Sequence, residues 1–111
     1  MEVDVSKGIE VGSFHYEVLQ DSETEKDLEA DSSFGKCDNQ HRRIKITMNY
    51  AGEQFSNTFV HECVEAVNSN YCNNLLKHSE ITNLSNGLTQ LLKSLGIQFV
   101  YACKIGGSGE K

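Results

Sequence analysis

The spacing of apolar residues predicts two amphipathic helices in the second half of the chain. Between residues 52 and 71 apolar positions recur four apart, with two valines beside them: Phe55, Phe59, Cys63, Val67, Tyr71, Val60 and Val64. A second such stripe runs through residues 79–95: Ile81, Leu84, Leu88, Leu91, Leu92 and Leu95. Residues three and four apart share one helix face, so each segment is predicted to be a helix. Gly96 is expected to end the second helix.

Alternation of apolar and polar residues predicts three strands around these helices. Residues 9–19 alternate through Phe14, Tyr16 and Val18, and residues 41–50 alternate through Ile44, Ile46 and Met48. Residues 97–103 are a short third candidate, whereas residues 34–40 have the composition of a turn. The predicted order is β-β-α-α-β, which makes the fold class α+β.

Length and composition fit one small globular domain. The chain has 111 residues, of which 38% are apolar and 23% charged. We expect a single domain over residues 1–105 and a flexible tail over residues 106–111, GGSGEK. No apolar run approaches the length of a bilayer span and no secretory signal is visible, so we expect a cytoplasmic protein without a membrane partner. The scattered cysteines at 37, 63, 72 and 103 are expected to be free thiols.

Negative charge is concentrated in residues 20–33, which hold six carboxylates against one lysine. Such a stretch is typical of a solvated acidic loop or a frayed helix. It could instead form an acidic surface that recruits a basic partner. The net charge of −6 gives no basic patch for nucleic acid, so nucleic-acid binding is not expected.

The first predicted helix contains His61-Glu62-Cys63-Val64-Glu65, one residue away from the HExxH motif of zinc peptidases. Residues four apart lie one above the other on a helix, so His61 and Glu65 share a face. In the zinc motif the first and fifth residues bind the metal, and the glutamate between them activates water. Here Glu62 has the position of that general base. The alternative is an ordinary ion-pair stripe on a surface helix.

A catalytic zinc needs three protein ligands and one open position. His78, close to the start of the second helix, is the nearest further nitrogen ligand in the sequence, whereas His15 and His41 lie farther away. His61, Glu65 and His78 would supply two histidines and one carboxylate. A histidine at a helix start can equally be a polar end group without a metal.

Residues 34–96 resemble the minigluzincins, small zinc-metallopeptidase-like proteins of phages and prophages that are related in fold to ImmA/IrrE-type peptidases. The resemblance rests on TFVHECVEAV in the first helix and on NGLTQLL, residues 86–92, in the second. It implies a small zincin-like α+β domain with zinc between the two helices and a strand at the cleft edge that could pair with a peptide. It also implies that His61 is a zinc ligand and Glu62 the general base.

The chain departs from the family pattern at two positions. Glu65 stands where the family has its second histidine, and Thr82 stands at the third ligand position, where the family has a glutamate. Either His78 compensates for both departures or zinc binding has been lost.

Two functions from different classes follow from these residues. The first is zinc-dependent hydrolysis of a polypeptide in the bacterial host cytoplasm, with Glu62 as general base and His61, Glu65 and His78 as ligands. The second is an inactive peptidase fold that binds or inhibits a host protein, such as a defence protein. A structural homo-oligomer, joined through the strand of Phe14 and Tyr16 or through the cysteines, is a third possibility that the sequence leaves open.

Overall fold

Six strands and three helices follow one another along residues 1–102, the part of the chain that this computed structural model describes. Their order is β1 (Glu2–Asp4), β2 (Ile9–Val11), β3 (Phe14–Leu19), α1 (Ser22–Ala30), β4 (Gly35–Asp38), β5 (Arg43–Ile46), α2 (Gly52–Tyr71), α3 (His78–Ser94) and β6 (Gln98–Val100). Cys103, the end of the expected domain and the expected tail 106–111 lie outside the described residues. Within residues 1–102, no helix is both long and apolar enough to cross a bilayer.

The strands form two sheets, one of four strands and one of two. Four of them make one sheet in the order β2-β3-β5-β4, in which β3 and β5 run parallel and the outer pairs run antiparallel. The N-terminal strand β1 pairs in parallel with β6, with Val3 opposite Phe99. The structure therefore joins residues from both ends of the described chain.

Helix α2 lies between the sheet and α3, and α1 lies on the opposite side of the sheet. α2 contacts β2, β4, β5, β6 and α3, whereas α1 contacts β5. Alternation along β5 explains the arrangement: Ile44 and Ile46 join the core beneath α2, and Lys45 between them reaches Asp27 of α1 at 3.1 Å. The layer order is α3, α2, sheet, α1.

The core follows the predicted stripe of α2 only in part. The completely or nearly buried apolar residues include five from α2: Phe55, Phe59, Val60, Val64 and Ala66. Val67 and Tyr71, which continue the stripe in the sequence, are exposed. Tyr16 and Val18 of β3 are buried, as their alternation predicts.

Three predictions about the strands are wrong. Residues 9–19 form two antiparallel strands, because Gly12 adopts a positive φ of 63° and turns the chain back. Residues 34–40 contain strand β4 rather than only a turn, since Cys37 pairs with Ile44 across the antiparallel ladder. The order β-β-α-α-β also omits β1, a three-residue strand that exists through pairing with β6.

The acidic stretch 20–33 is a helix rather than a loop. Asp21 caps α1, because its carboxylate accepts the Thr24 backbone N–H at 2.7 Å. Leu28, the helix's apolar contact, is completely buried. The buried leucine and the cap thus contribute to the order of this segment, which packs against β5.

Helix α3 matches its predicted length but not its predicted burial. The residues of α3 that are buried are Ile81 and Ser85, and Leu92 is partly buried. The other four leucines of the predicted apolar face are exposed: Leu84, Leu88, Leu91 and Leu95. The packing of α2 on α3 therefore buries only one side of the apolar face of α3 and leaves the other side exposed.

Candidate metal site

The structure brings His61, Glu65 and His78 together between α2 and α3. One ligand atom from each of the three side chains lies within 4.8 Å of the other two. His61 Nε2 is 3.8 Å from the Glu65 carboxylate, one helical turn along α2. The His61 and His78 rings meet at an angle, with 5.5 Å between their centroids. The role of these residues as ligands stays a prediction, because proximity alone does not show a metal.

The position of His78 depends on the short connection between the helices. Asn68, buried on α2, accepts the Leu76 backbone N–H at 3.1 Å through its side-chain oxygen and donates to the Leu76 carbonyl at 3.4 Å. Asn73 and Asn74 both adopt positive φ, which asparagine tolerates better than most residues. This turn makes His78 the first residue of α3, one turn before Thr82.

Ser85 determines which nitrogen of His61 is available. Its hydroxyl donates to the Thr82 carbonyl at 3.0 Å, so the lone pairs of Oγ are left to accept a hydrogen bond. His61 Nδ1 lies 3.3 Å from that oxygen. This arrangement favours the neutral imidazole that carries its proton on Nδ1, with the Nε2 lone pair on the side of Glu65 and His78.

The electrostatics of His61 favour its neutral form. Burial lowers the pKa of His61 more than the Glu65 carboxylate raises it, and His78 lowers it further. A neutral imidazole is the form that binds a metal.

Glu62 is buried without a hydrogen-bond donor among the described residues. It retains only 7% of its accessible surface, and no hydrogen bond or ion pair within residues 1–102 involves its carboxylate. Burial, reinforced by the charge of Glu65, raises the pKa of Glu62 to about 8. An unpartnered buried carboxyl is costly, and a pKa near neutrality suits a general base.

Gly35 lets strand β4 approach Glu62 closely. A Cβ at this position would lie 2.5 Å from Thr58 Cγ2 and 3.0 Å from the Glu62 carboxylate. The absence of a side chain at residue 35 thus leaves room for the carboxylate at the wall of the cleft.

Part of the candidate site borders a cleft of about 470 Å³. His61, Glu62 and His78 line it together with Thr82 and Asn86 of α3. Two imidazoles and a carboxylate are a donor set that zinc accepts, and the orphaned Glu62 carboxyl beside them fits a water-activating role. Thr82 offers no strong ligand at the position where the resemblance places the family's glutamate.

The other two histidines lie outside the cluster. His15 contacts Glu10 in the β2–β3 hairpin. His41 contacts Asp38 at 2.9 Å in the β4–β5 turn. Each pairs with a carboxylate of its own hairpin, and neither is part of the group formed by His61, Glu65 and His78.

Sequence reasoning missed two residues that shape the site, Ser85 and Gly35. Ser85 lies a helical turn after Ile81, so its place on the buried face of α3 could have been inferred from the spacing. Gly35 gave no such signal, because its importance comes from the packing of β4 on α2.

The described residues form a small α+β domain with three helices and mixed sheets. Its element order is richer than the one that the sequence predicted, with an additional helix and three additional strands. Comparisons of the chain with protein-family models, with curated proteins and with solved structures give no significant match.

Proposed function

We propose that this protein is a zinc-dependent peptidase of minigluzincin type, with His61, Glu65 and His78 as metal ligands and Glu62 as general base. The observation that carries the proposal is the convergence of three potential ligands, two of which line the cleft, next to a buried glutamate that has no hydrogen-bond partner within residues 1–102. An ordinary ion-pair stripe on a surface helix would not explain the buried Glu62 carboxyl, because an exposed ion pair needs no buried carboxyl beside it.

Zinc at this position would act as a Lewis acid on the scissile carbonyl and would acidify a water molecule. The chain's own residues supply the remaining steps. The Ser85 hydroxyl holds the His61 proton on Nδ1, so that Nε2 faces the other two ligands. In its ionised form Glu62 takes a proton from the attacking water and passes it to the leaving amine, and its raised pKa makes that carboxylate a stronger base.

A non-catalytic binding module is the second candidate. The observation that favours it is Thr82, which lines the cleft where the resemblance places a ligand but lacks a strong donor for zinc. In that case the same cleft would hold a polypeptide of a cytoplasmic host protein without cleaving it.

The test separates metal binding from hydrolysis. Zinc-loaded wild-type protein is incubated with a quenched fluorescent peptide library, and zinc content is measured by mass spectrometry. We expect Glu62→Gln to lower the rate by roughly 10²–10⁴-fold with zinc content unchanged, because a general base contributes about that much. Glu53→Gln, on the exposed start of the same helix, is the matched control and should change neither quantity.

Stoichiometric zinc without hydrolysis in the wild type would favour the binding module. Absence of zinc after loading would contradict both the metal site and the peptidase.

A further inference from the structure

Helix α3 exposes a row of four leucines along one side. Leu84, Leu88, Leu91 and Leu95 each keep between 42% and 66% of their accessible surface. We name these four residues the leucine seam. Isolated exposed leucines are ordinary on protein surfaces, whereas a continuous row of them usually marks an interaction site.

The spacing of the leucine seam is that of a coiled coil. From Ile81 the apolar positions follow at intervals of three, four, three and four residues. This 3.5-residue average is the pattern with which one helix packs lengthwise against another at a shallow angle. The partner that the leucine seam fits is therefore a helix with the same periodicity.

We propose that a second copy of this chain covers the leucine seam, so that two α3 helices pack against each other in a two-fold symmetric dimer. A symmetric interface requires a surface that is complementary to itself. The leucine seam meets this condition, since the exposed α3 positions that flank it include the small uncharged residues Gly87 and Ser94. A Cβ added to Gly87 would meet no atom within 4 Å, so this flank is open to a neighbouring helix.

The charge distribution permits this association despite the net charge of −6. The most acidic stretch, residues 20–33, forms α1 and its flanks, on the far side of the sheet from α3. The two acidic helices of such a dimer would point away from each other, and at that separation salt screens their repulsion.

The available area is consistent with a reversible dimer. Four half-exposed leucines supply less area than the about 800 Å² per partner that a typical stable interface buries. The polar walls of the shallow groove beside it, Glu80 and Asn83, can supply further contact area. We expect a dissociation constant in the micromolar range.

The residues that follow Ala102 are a poor alternative occupant. Residues 103–111 hold one large aliphatic side chain, Ile105, against four exposed leucines. The dimer also leaves the metal-site cleft open, because His78, Thr82 and Asn86 lie across the buried stripe of α3 from the leucine seam.

Sedimentation equilibrium of the full chain between about 1 and 200 µM tests the proposal. We expect the wild type to shift from 12.4 kDa toward twice that mass as its concentration rises. The double variant Leu88→Gln/Leu91→Gln should raise the dissociation constant by roughly 100-fold. Met48→Gln, an exposed apolar residue beyond β5, is the matched control and should leave it unchanged.

Gly87→Glu keeps the test valid if the double variant does not fold. Glutamate favours a helix over glycine, so the monomer should become more stable, while a carboxylate beside the leucine seam of each copy should weaken the dimer at least tenfold. A wild type that stays monomeric at 200 µM would overturn the proposal. A dimer that neither α3 variant weakens would overturn it as well.

Discussion

The carboxylates around α1 and the Glu62 carboxyl of α2 have opposite surroundings. Asp21 caps α1, and Glu25 accepts hydrogen bonds from the Thr47 hydroxyl and the Met48 backbone N–H at 2.8 Å. Asp27 and Asp31 pair with Lys45 and Lys36: the distances are 3.1 and 2.9 Å. On α2, by contrast, the buried Glu62 meets no donor within residues 1–102.

This difference shows that local charge density does not identify the chemical site. The most acidic stretch of the sequence uses four of its six carboxylates to fix α1 against the sheet, which leaves Glu23 and Glu29 without a partner among the described residues. The reactive candidate lies instead in a helix where burial, not a neighbouring cation, determines its protonation.

The largest change in the free energy of unfolding is expected from Glu62→Gln in metal-free protein. The pKa of Glu62 is raised, so the folded state holds this proton more tightly than the unfolded state, and its ionisation lowers stability. The wild type should lose stability as pH rises from about 4.5 to about 8. At pH 8 the variant should be roughly 1–3 kcal/mol more stable than the wild type, and at pH 4 equally stable.

Urea denaturation with a chelator present, at several pH values, measures this difference. Glu53→Gln provides the control, since that side chain is largely exposed at the start of the same helix. A variant that follows the wild type at every pH would show that Glu62 has ordinary surroundings.

The second prediction concerns zinc affinity and the contact between Ser85 and His61. Ser85→Ala removes the acceptor for His61 Nδ1–H, so the imidazole is free to place its proton on Nε2. We expect zinc affinity to fall roughly 10–100-fold, the range seen when such supporting contacts are lost. Chelator competition measures the affinity, and nitrogen NMR of His61 reports the tautomer.

Ser94→Ala is the matched control for this variant. Ser94 donates to a carbonyl three residues earlier, as Ser85 does, but it lies at the end of α3. Equal losses of affinity in the two variants would point to a general effect on helix α3 instead of a specific contact with His61.

The smallest expected change in stability concerns the paired carboxylates of α1. Glu25→Ala leaves the buried Thr47 hydroxyl without its acceptor and should cost about 1–2 kcal/mol of folding free energy. Glu29→Ala, on the same helix, should change stability by less than about 0.5 kcal/mol. Urea denaturation at pH 7 measures both, and equal costs would mean that α1 carboxylates act only through their summed charge.

Local periodicity predicted the two long helices, α2 and α3, well and the strands poorly. α2 and α3 are long enough for their apolar spacing to be unmistakable, and the alternation of Tyr16 and Val18 correctly predicted their burial. β1 and β4 could not be predicted, because each is short and depends on pairing with a partner, β6 or β5. The exposed leucines of α3 were misassigned to the core since periodicity shows a face but not what covers it.

The grouping of the three candidate ligands was predicted, but the contacts that bring them together were not. The spacing of His61 and Glu65 placed them on one face, and His78 was selected as the nearest histidine. The approach of His78 to His61 depends on the hydrogen bonds between Asn68 and Leu76. A short sequence motif does not reveal these bonds, because they join residues eight apart.

Anomalous diffraction at the zinc edge, from crystals of the zinc-loaded protein, tests the central claim most directly. The proposed site predicts one strong peak bounded by His61 Nε2, a Glu65 carboxylate oxygen and a His78 nitrogen, with zinc–nitrogen distances of about 2.0–2.1 Å. A peak at His15 and Glu10, a peak at His41 and Asp38, or no peak at all would contradict it.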